Sequence, residues 1–193
     1  MREQLDILAD AISDVGRWRW WVAELPQLFQ LEFSGTQLWT PPLKEGAPPC
    51  GQLALRFIEP VAVCFLSFAE MPDDWPAQMH ADQLEPFNVD DDAFRFDDAA
   101  LAAELLAAGK KQTLHGDPAA LAPHCLAFRA GAVGCVVSAR EIRLVSHQGE
   151  LPLDEVHDRS TRWWSYWREY WARRGGDQPL PEDYACEVTI PVK

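Results

Sequence analysis

The feature that most constrains the fold is an aromatic stripe near the end of the chain. From about Asp154 to Arg174 the sequence has no Pro or Gly, opens with acidic residues and closes with arginines, which predicts a long helix. Trp164 lies on the flank of the stripe. Because so many rings are unstable in water, we expect the stripe to pack against other parts of the protein. It consists of five rings at helical spacing: Trp163, Tyr166, Trp167, Tyr170 and Trp171.

The stripe has two interpretations. In the first it is the main wall of a core against a β-sheet, and burying five rings contributes on the order of 25 kcal/mol of gross hydrophobic free energy. In the second it stacks against a sugar, a nucleobase or a cation in a pocket. The amount of apolar surface favours the core.

Other segments predict shorter helices. Apolar residues recur at helical spacing over residues 3 to 15, which indicates an amphipathic N-terminal helix. A short helix is expected from 73 to about 85, where Pro86 follows. Asp97 and Asp98 precede an Ala- and Leu-rich run that ends at Gly109, a pattern that predicts a capped helix.

The remaining segments predict strands. We expect a strand from residue 17, and a hairpin within 27–39 whose turn is Ser34-Gly35. Glu59-Pro60 separates two expected strands, of which the second is apolar enough to be covered on both faces. A brief strand is expected at Phe94 and Phe96. The further expected strands are 126–128, 134–138 and 142–146, which form a meander, and 184–192 at the C-terminus.

These elements predict one α+β domain spanning residues 1–193. We expect a mostly antiparallel, twisted sheet of about six to eight strands, packed against the long aromatic-rich C-terminal helix, with the shorter helices covering the rest. Apolar residues make up 48% of the chain and charged residues 24%, as in ordinary globular proteins.

Composition also predicts where the protein works. The N-terminus is acidic where a signal peptide is basic, and the longest apolar runs last about ten residues, half of a membrane span. The five cysteines are an odd number with no C-x-x-C pair, which favours reduced thiols over disulfides or a zinc site. An Arg-rich, Lys-poor composition is typical of GC-rich bacterial genomes. We therefore expect a bacterial, cytoplasmic protein without a membrane contact.

Charge is concentrated in one region. The formal net charge is −13 with a pI near 4.7, which argues against binding to nucleic acids or anionic membranes. The acidic segment, defined here as residues 70–104, contains eleven Asp and Glu residues, and its one basic residue is Arg95.

The acidic segment has three interpretations. It is a solvated face, a docking surface for a basic protein, or a divalent metal site. The run Asp90-Asp91-Asp92 lacks the Gly and the Glu of a calcium-binding EF-hand loop, so we predict no metal and no cofactor. The residues predicted to bind a partner are Asp73, Asp74, Asp82, Glu85, Asp90, Asp91 and Asp92.

No catalytic motif is present in the sequence. Nucleophile elbows, phosphate-binding loops, dinucleotide fingerprints and zinc-hydrolase or deaminase signatures are all missing. His124 and Cys125 are adjacent, but neighbours in a strand face opposite sides of a sheet, so they are not predicted to form a joint site. We predict no catalytic residue.

Three functions remain open. The first is a non-enzymatic binding or inhibitory module that meets a basic protein through the acidic segment. Small size, high acidity and the missing catalytic motifs are the profile expected of an immunity or antitoxin-like protein. The second is a small-molecule-binding protein whose ligand stacks on Trp18, Trp20 or Trp39. The third is an enzyme of unfamiliar type, which needs a cleft holding at least two titratable groups.

Overall fold

The computed structural model describes residues 2–36, 51–80, 84–90, 93–120, 124–146 and 149–174. These residues form four helices and nine strands. The helices are α1 (Arg2–Val15), α2 (Trp75–His80), α3 (Ala99–Ala108) and α4 (Glu155–Arg174). The strands are β1 (Arg17–Glu24), β2 (Leu28–Thr36), β3 (Gly51–Ser67), β4 (Phe87–Asn88), β5 (Phe94–Phe96), β6 (Lys110–Gly116), β7 (His124–Ala130), β8 (Val133–Ser146) and β9 (Gly149–Leu151).

All nine of these strands belong to one sheet, in which every pairing is antiparallel. The order is β4-β1-β2-β3-β8-β7-β5, with β6 added to β3 and β9 added to β8. The predicted α+β class with a mostly antiparallel sheet is therefore confirmed. Sequence reasoning missed β4, β6 and β9.

The longest ladder joins β3 to β8. Both strands continue through positions where the sequence predicts that a strand ends. The two strands expected on either side of Glu59-Pro60 are one strand, and so are those expected at 134–138 and 142–146. The Pro60 position lies at a register shift, and Glu59 has a φ of 48°. An irregularity of this kind bends a strand and tolerates a proline without ending the pairing.

The predicted hairpin turn at Ser34-Gly35 is wrong. Both residues lie inside β2, which pairs with β3 as far as Thr36. The turn that does reverse the chain joins β1 to β2, where the Gln27 N–H donates to the Glu24 carbonyl over 2.9 Å. The local turn propensity of Ser34-Gly35 is overridden, because pairing with strands on both sides of β2 keeps these residues extended.

The segment from β4 to β5 closes the curled sheet. β4 pairs with β1, and β5 pairs with β7, so residues 87–96 touch both ends of the strand order. Between them, the Val89 N–H donates to the Gly16 carbonyl over 3.4 Å and the Asp90 N–H donates to the Arg129 carbonyl over 3.0 Å. The concave face is thereby enclosed.

The concave face holds an aromatic core covered by α1. Trp18 is fully buried at its centre, with ring centroids of Phe65 and Phe128 at 5.9 and 5.0 Å. Trp75 meets the Trp18 ring edge-on at 5.8 Å. The residues that α1 contributes are Leu5, Leu8, Ala9, Ala11 and Ile12.

The convex face of β3, β8 and β7 is covered by α3. Its cluster is small and contains two thiols, and it is separate from the aromatic core. The expected covering of this part of β3 on both faces is therefore confirmed. Asp98 accepts a hydrogen bond from the Leu101 N–H over 2.9 Å and Gly109 follows the helix, as the sequence predicted. The buried residues are Cys64, Leu66, Ala102, Leu105, Cys125, Ala127 and Val136.

The first turns of α4 pack against α1, where Val156 is fully buried. Trp164, the flanking ring of the aromatic stripe, is 48% exposed. The structure does not describe the side chains of the other five rings, so their packing against the sheet stays a prediction. The wall that demonstrably covers the concave core is α1. The strand predicted at 184–192 also lies outside the described residues.

Candidate functional site

The acidic segment is the site that the sequence predicted for a partner. Of its seven predicted partner-binding residues, Asp82, Asp91 and Asp92 lie outside the described residues. The structure places the other four in or beside the connections before α2, β4 and β5. These are Asp73, Asp74, Glu85 and Asp90.

Two of these four carboxylates have basic neighbours. Asp73 Oδ1 lies 2.6 Å from Lys110 Nζ, and this hydrogen bond lowers the pKa of the Asp73 carboxyl. Asp90 accepts from the Gly131 N–H over 3.0 Å and lies 3.5 Å from Arg129 Nε. Part of the predicted negative surface is therefore neutralised by the fold itself.

Other acids in the segment keep their charge toward solvent. Asp74 accepts a hydrogen bond from Gln78 over 2.8 Å, a neutral partner. Glu70, Glu85 and Glu104 are also exposed, and no ion pair joins them to a basic side chain among the residues described. Within the described part of the segment, these four are the exposed carboxylates without a basic partner.

Asp73 and Asp90 lie at the same end of the sheet. There the Phe68 N–H, just after β3, donates to the Ala132 carbonyl over 2.8 Å, which joins β3 to the turn between β7 and β8. The Arg129 guanidinium lies 4.8 Å from the centroid of the Phe68 ring. Residues far apart in sequence thus share one surface.

The predicted ligand-stacking tryptophans are not together on a surface. Trp18 is fully buried among other rings, which leaves no face of its indole for a ligand in this structure. Its Nε1–H donates to the Trp20 carbonyl over 3.2 Å, and Trp20 is partly buried. Trp39 lies outside the described residues.

A cavity that sequence reasoning missed opens beside Asp73. Its volume is about 180 Å³, and it lies between the end of β3, the start of β6 and the residues that lead into α2. Its walls come from positions more than forty apart in the chain, so no local pattern signals it. The lining residues are Ser67, Met71, Pro72, Asp73, Trp75, Lys110, Lys111 and Gln112.

The three cysteines within the described ranges are free, buried thiols. Burial raises the pKa of Cys125 to about 12, and Asp97 and Asp98 add to the shift. Burial likewise raises the pKa of Cys64 and of Cys135 above the usual thiol range. Neutral thiols of this kind are poor nucleophiles.

His124 and Cys125 do not meet in one site. The His124 Nδ1 lies 3.7 Å from Asp97 Oδ2, and both side chains are partly exposed. The Cys125 thiol is in the buried cluster under α3. Asp97 connects the two residues through the backbone, because its Oδ1 accepts from the Cys125 N–H over 2.9 Å.

Neither a metal cluster nor a membrane-spanning helix occurs in the part of the chain that the structure describes. No group of three or more His, Cys, Asp or Glu side chains is arranged there to hold a metal ion. None of the four helices is both long and apolar enough to cross a bilayer. A scan against protein-family models, a search of curated proteins and a search of solved structures each found no match.

Proposed function

We propose that this chain is a cytoplasmic, non-enzymatic binding protein that docks a basic protein through the acidic segment, with the profile of an immunity or antitoxin-like inhibitor. The observation that carries the proposal is the concentration of charge, with eleven acids and one arginine in residues 70–104. A patch of one sign accelerates encounter with an oppositely charged partner and disfavours acidic competitors.

The four exposed carboxylates without an ion pair support this proposal. Asp74 and Glu85 precede the short elements α2 and β4, and Glu104 is on the solvent side of α3. Folding holds these backbones in place, so little conformational entropy is lost when a partner binds there. The buried, free thiols support the cytoplasmic assignment, because such thiols persist in a reducing compartment.

The test compares two variants of equal charge. The first neutralises the four free acids of the segment: Glu70→Gln, Asp74→Asn, Glu85→Gln and Glu104→Gln. The control neutralises four exposed acids elsewhere: Glu3→Gln, Asp6→Asn, Glu24→Gln and Asp154→Asn. The two variants have the same net charge, so any difference in the proteins they capture depends on where the neutralised acids lie.

Wild type, variant and control are immobilised, and captured proteins from native lysate are identified by mass spectrometry at low and high salt. We expect wild type and the control variant to capture a basic protein that the segment variant does not capture. High salt should release this protein. Capture of the same proteins by the segment variant and the control would refute the proposal. So would the absence of any basic protein enriched by wild type.

We also infer that the aromatic stripe of α4 packs inward and leaves the partner surface to charge. The buried Val156 and the contact of α4 with α1 support this orientation. Acrylamide quenching of tryptophan fluorescence tests it through Trp167→Phe and Trp171→Phe. We expect both variants to lose poorly quenched emission. Loss of strongly quenched emission would mean that these indoles face solvent.

A further inference from the structure

The cavity beside Asp73 is an amphipathic site. Ser67 is the last residue of β3 and pairs in register with Lys110, the first residue of β6. Gln112 pairs with Phe65, so strand alternation places Lys110 and Gln112 on the same face as Ser67 and Phe65. This is the concave face, because Phe65 belongs to the aromatic core. The site therefore continues the concave face outward.

Hydrogen-bond donors converge on this cavity. Ser67 and Trp75 are 9% and 3% exposed, and neither the Ser67 hydroxyl nor the Trp75 indole N–H makes a hydrogen bond to the residues described. Gln112 adds an amide, and Lys110 adds an ammonium. Neither donor atom is sealed off from water, so a ligand that accepts hydrogen bonds can replace the water at these donors.

Asp73 is the acid in the lining, and its ion pair is easily opened. The side chains of Lys110 and Asp73 are 74% and 88% exposed. Exposed ion pairs contribute little stability, because water screens both charges. A second carboxylate that also reaches the inner donors can therefore replace Asp73 as the partner of Lys110.

Size and polarity narrow the ligand further. About 180 Å³ is smaller than the pockets that hold drug-sized ligands, so the ligand has only a few carbon atoms. Met71, Pro72 and the edge of Trp75 form an apolar side of the cavity. Asp73 and the overall negative charge repel a dianion more strongly than a monoanion. We propose that this cavity binds a small aliphatic monocarboxylate, whose carboxylate accepts from Lys110, Ser67 and Gln112.

The proposal is tested by titrating the ¹⁵N-labelled full chain with butyrate and following its amide and indole signals by NMR. Trp75→Phe identifies the Trp75 indole signal. We expect saturable shifts of that signal and of the Ser67 and Gln112 amides at millimolar butyrate. Butyramide, which has the same tail without charge, and inorganic phosphate are the matched probes, and both are expected to shift these signals far less.

Three variants sharpen the test. Lys110→Gln is expected to weaken butyrate binding about 10-fold, since it removes a charged hydrogen bond. Arg140→Gln is the control, because this residue has the same charge and the same 74% side-chain exposure but pairs with Glu59 and does not line the cavity. Its effect is expected to stay within about 2-fold, the size expected of an exposed charge. Asp73→Asn should tighten binding by releasing Lys110.

Four outcomes would overturn the proposal. The first is the absence of saturable shifts at the cavity residues in wild type. The second is an equal response to butyramide or phosphate, which would mean a site without selectivity for carboxylates. The third is an equal effect of Lys110→Gln and Arg140→Gln, and the fourth is weaker binding by Asp73→Asn. None of the four acids changed in the docking test lines the cavity, so either proposal can fail alone.

Discussion

The two faces of the ladder between β3 and β8 are covered by different chemistry. On the concave face, the Phe65 ring lies within about 6 Å of the rings of Trp18, Trp21, Phe29 and Trp75. On the convex face, a cluster of thiols and aliphatic side chains lies under one ten-residue helix, α3. On the concave face, side chains from many elements contact one another, whereas on the convex face a single helix covers the sheet.

This difference teaches where stability resides. Removing a ring from the concave network leaves a cavity that many fixed neighbours surround, so the structure relaxes little. Removing a side chain beneath α3 lets a short helix adjust, which reduces the size of the cavity. We therefore expect concave substitutions to be more destabilising than convex ones. Two predictions test that ranking, and two more examine the convex face.

The largest effect is expected at Phe65. Phe65→Ala should lower the free energy of unfolding by about 3–5 kcal/mol, because it removes one buried ring from contact with four others. Urea denaturation followed by circular dichroism measures the loss. If this variant does not fold, Phe65→Leu, which keeps most of the volume, provides the measurable value. A change in Phe65→Leu too small to detect would contradict the ranking.

The next effect is expected at Leu105, in α3. Leu105→Ala should lower the free energy of unfolding by about 2–3 kcal/mol, the low end for such a truncation, because this residue is at the edge of a small cluster. Glu104→Ala on the solvent side of the same helix should change it by less than about 0.5 kcal/mol. A loss at Leu105 equal to that at Phe65 would remove the distinction between the faces.

The thiols of the convex cluster predict a loss of stability at high pH. Burial raises the pKa of Cys125 to about 12 in the folded protein, whereas an unfolded thiol titrates near pH 8.5. Stabilisation by the neutral thiol is thus complete below about pH 8.5 and is lost as the pH rises toward 12, by up to about 1.4 kcal/mol per unit.

Urea denaturation of wild type and Cys125→Ala from about pH 7 to about pH 10 measures this slope. The free energy of unfolding of the variant should fall less steeply with pH, because its Cys125 contribution is gone. Cys64→Ala is a second variant from the same cluster and should act in the same direction. Parallel slopes for wild type and both variants would show that these thiols ionise as readily in the folded protein as in the unfolded chain.

The smallest effect is expected at the cap of α3. Asp98→Ala should lower the free energy of unfolding by about 1 kcal/mol, since it removes the acceptor of the Leu101 N–H. Asp98→Ser, which also caps helices well, should restore most of the loss. Equal destabilisation by both substitutions would mean that the carboxylate acts through something other than capping.

Sequence reasoning succeeded where a structure depends on neighbouring residues. The cap and the end of α3 follow from Asp98 and Gly109, and α1 follows from apolar spacing. It failed where distant strands decide, as at Ser34-Gly35 and Glu59-Pro60, which the sheet carries through as continuous strand.

The candidate sites show the same division. The concentration of acids such as Asp74 and Glu85 in one segment can be predicted from the sequence alone. The neutralisation of Asp73 by Lys110 and of Asp90 by Arg129 cannot be predicted, because these bases come from β6 and β7. β6 itself was missed because its residues are polar and exposed, without the alternation of a half-buried strand. The cavity beside it was missed with it.

The account depends most on the closure of the sheet by residues 87–96, which encloses the aromatic core. Cross-strand proton NOEs in the isotope-labelled protein test this directly. We predict backbone contacts from Trp18 to Phe87 and, in the same sample, from Arg95 to Ala127. Finding one of these contacts without the other would contradict the account, because the segment would then pair with a single edge and leave the concave face open.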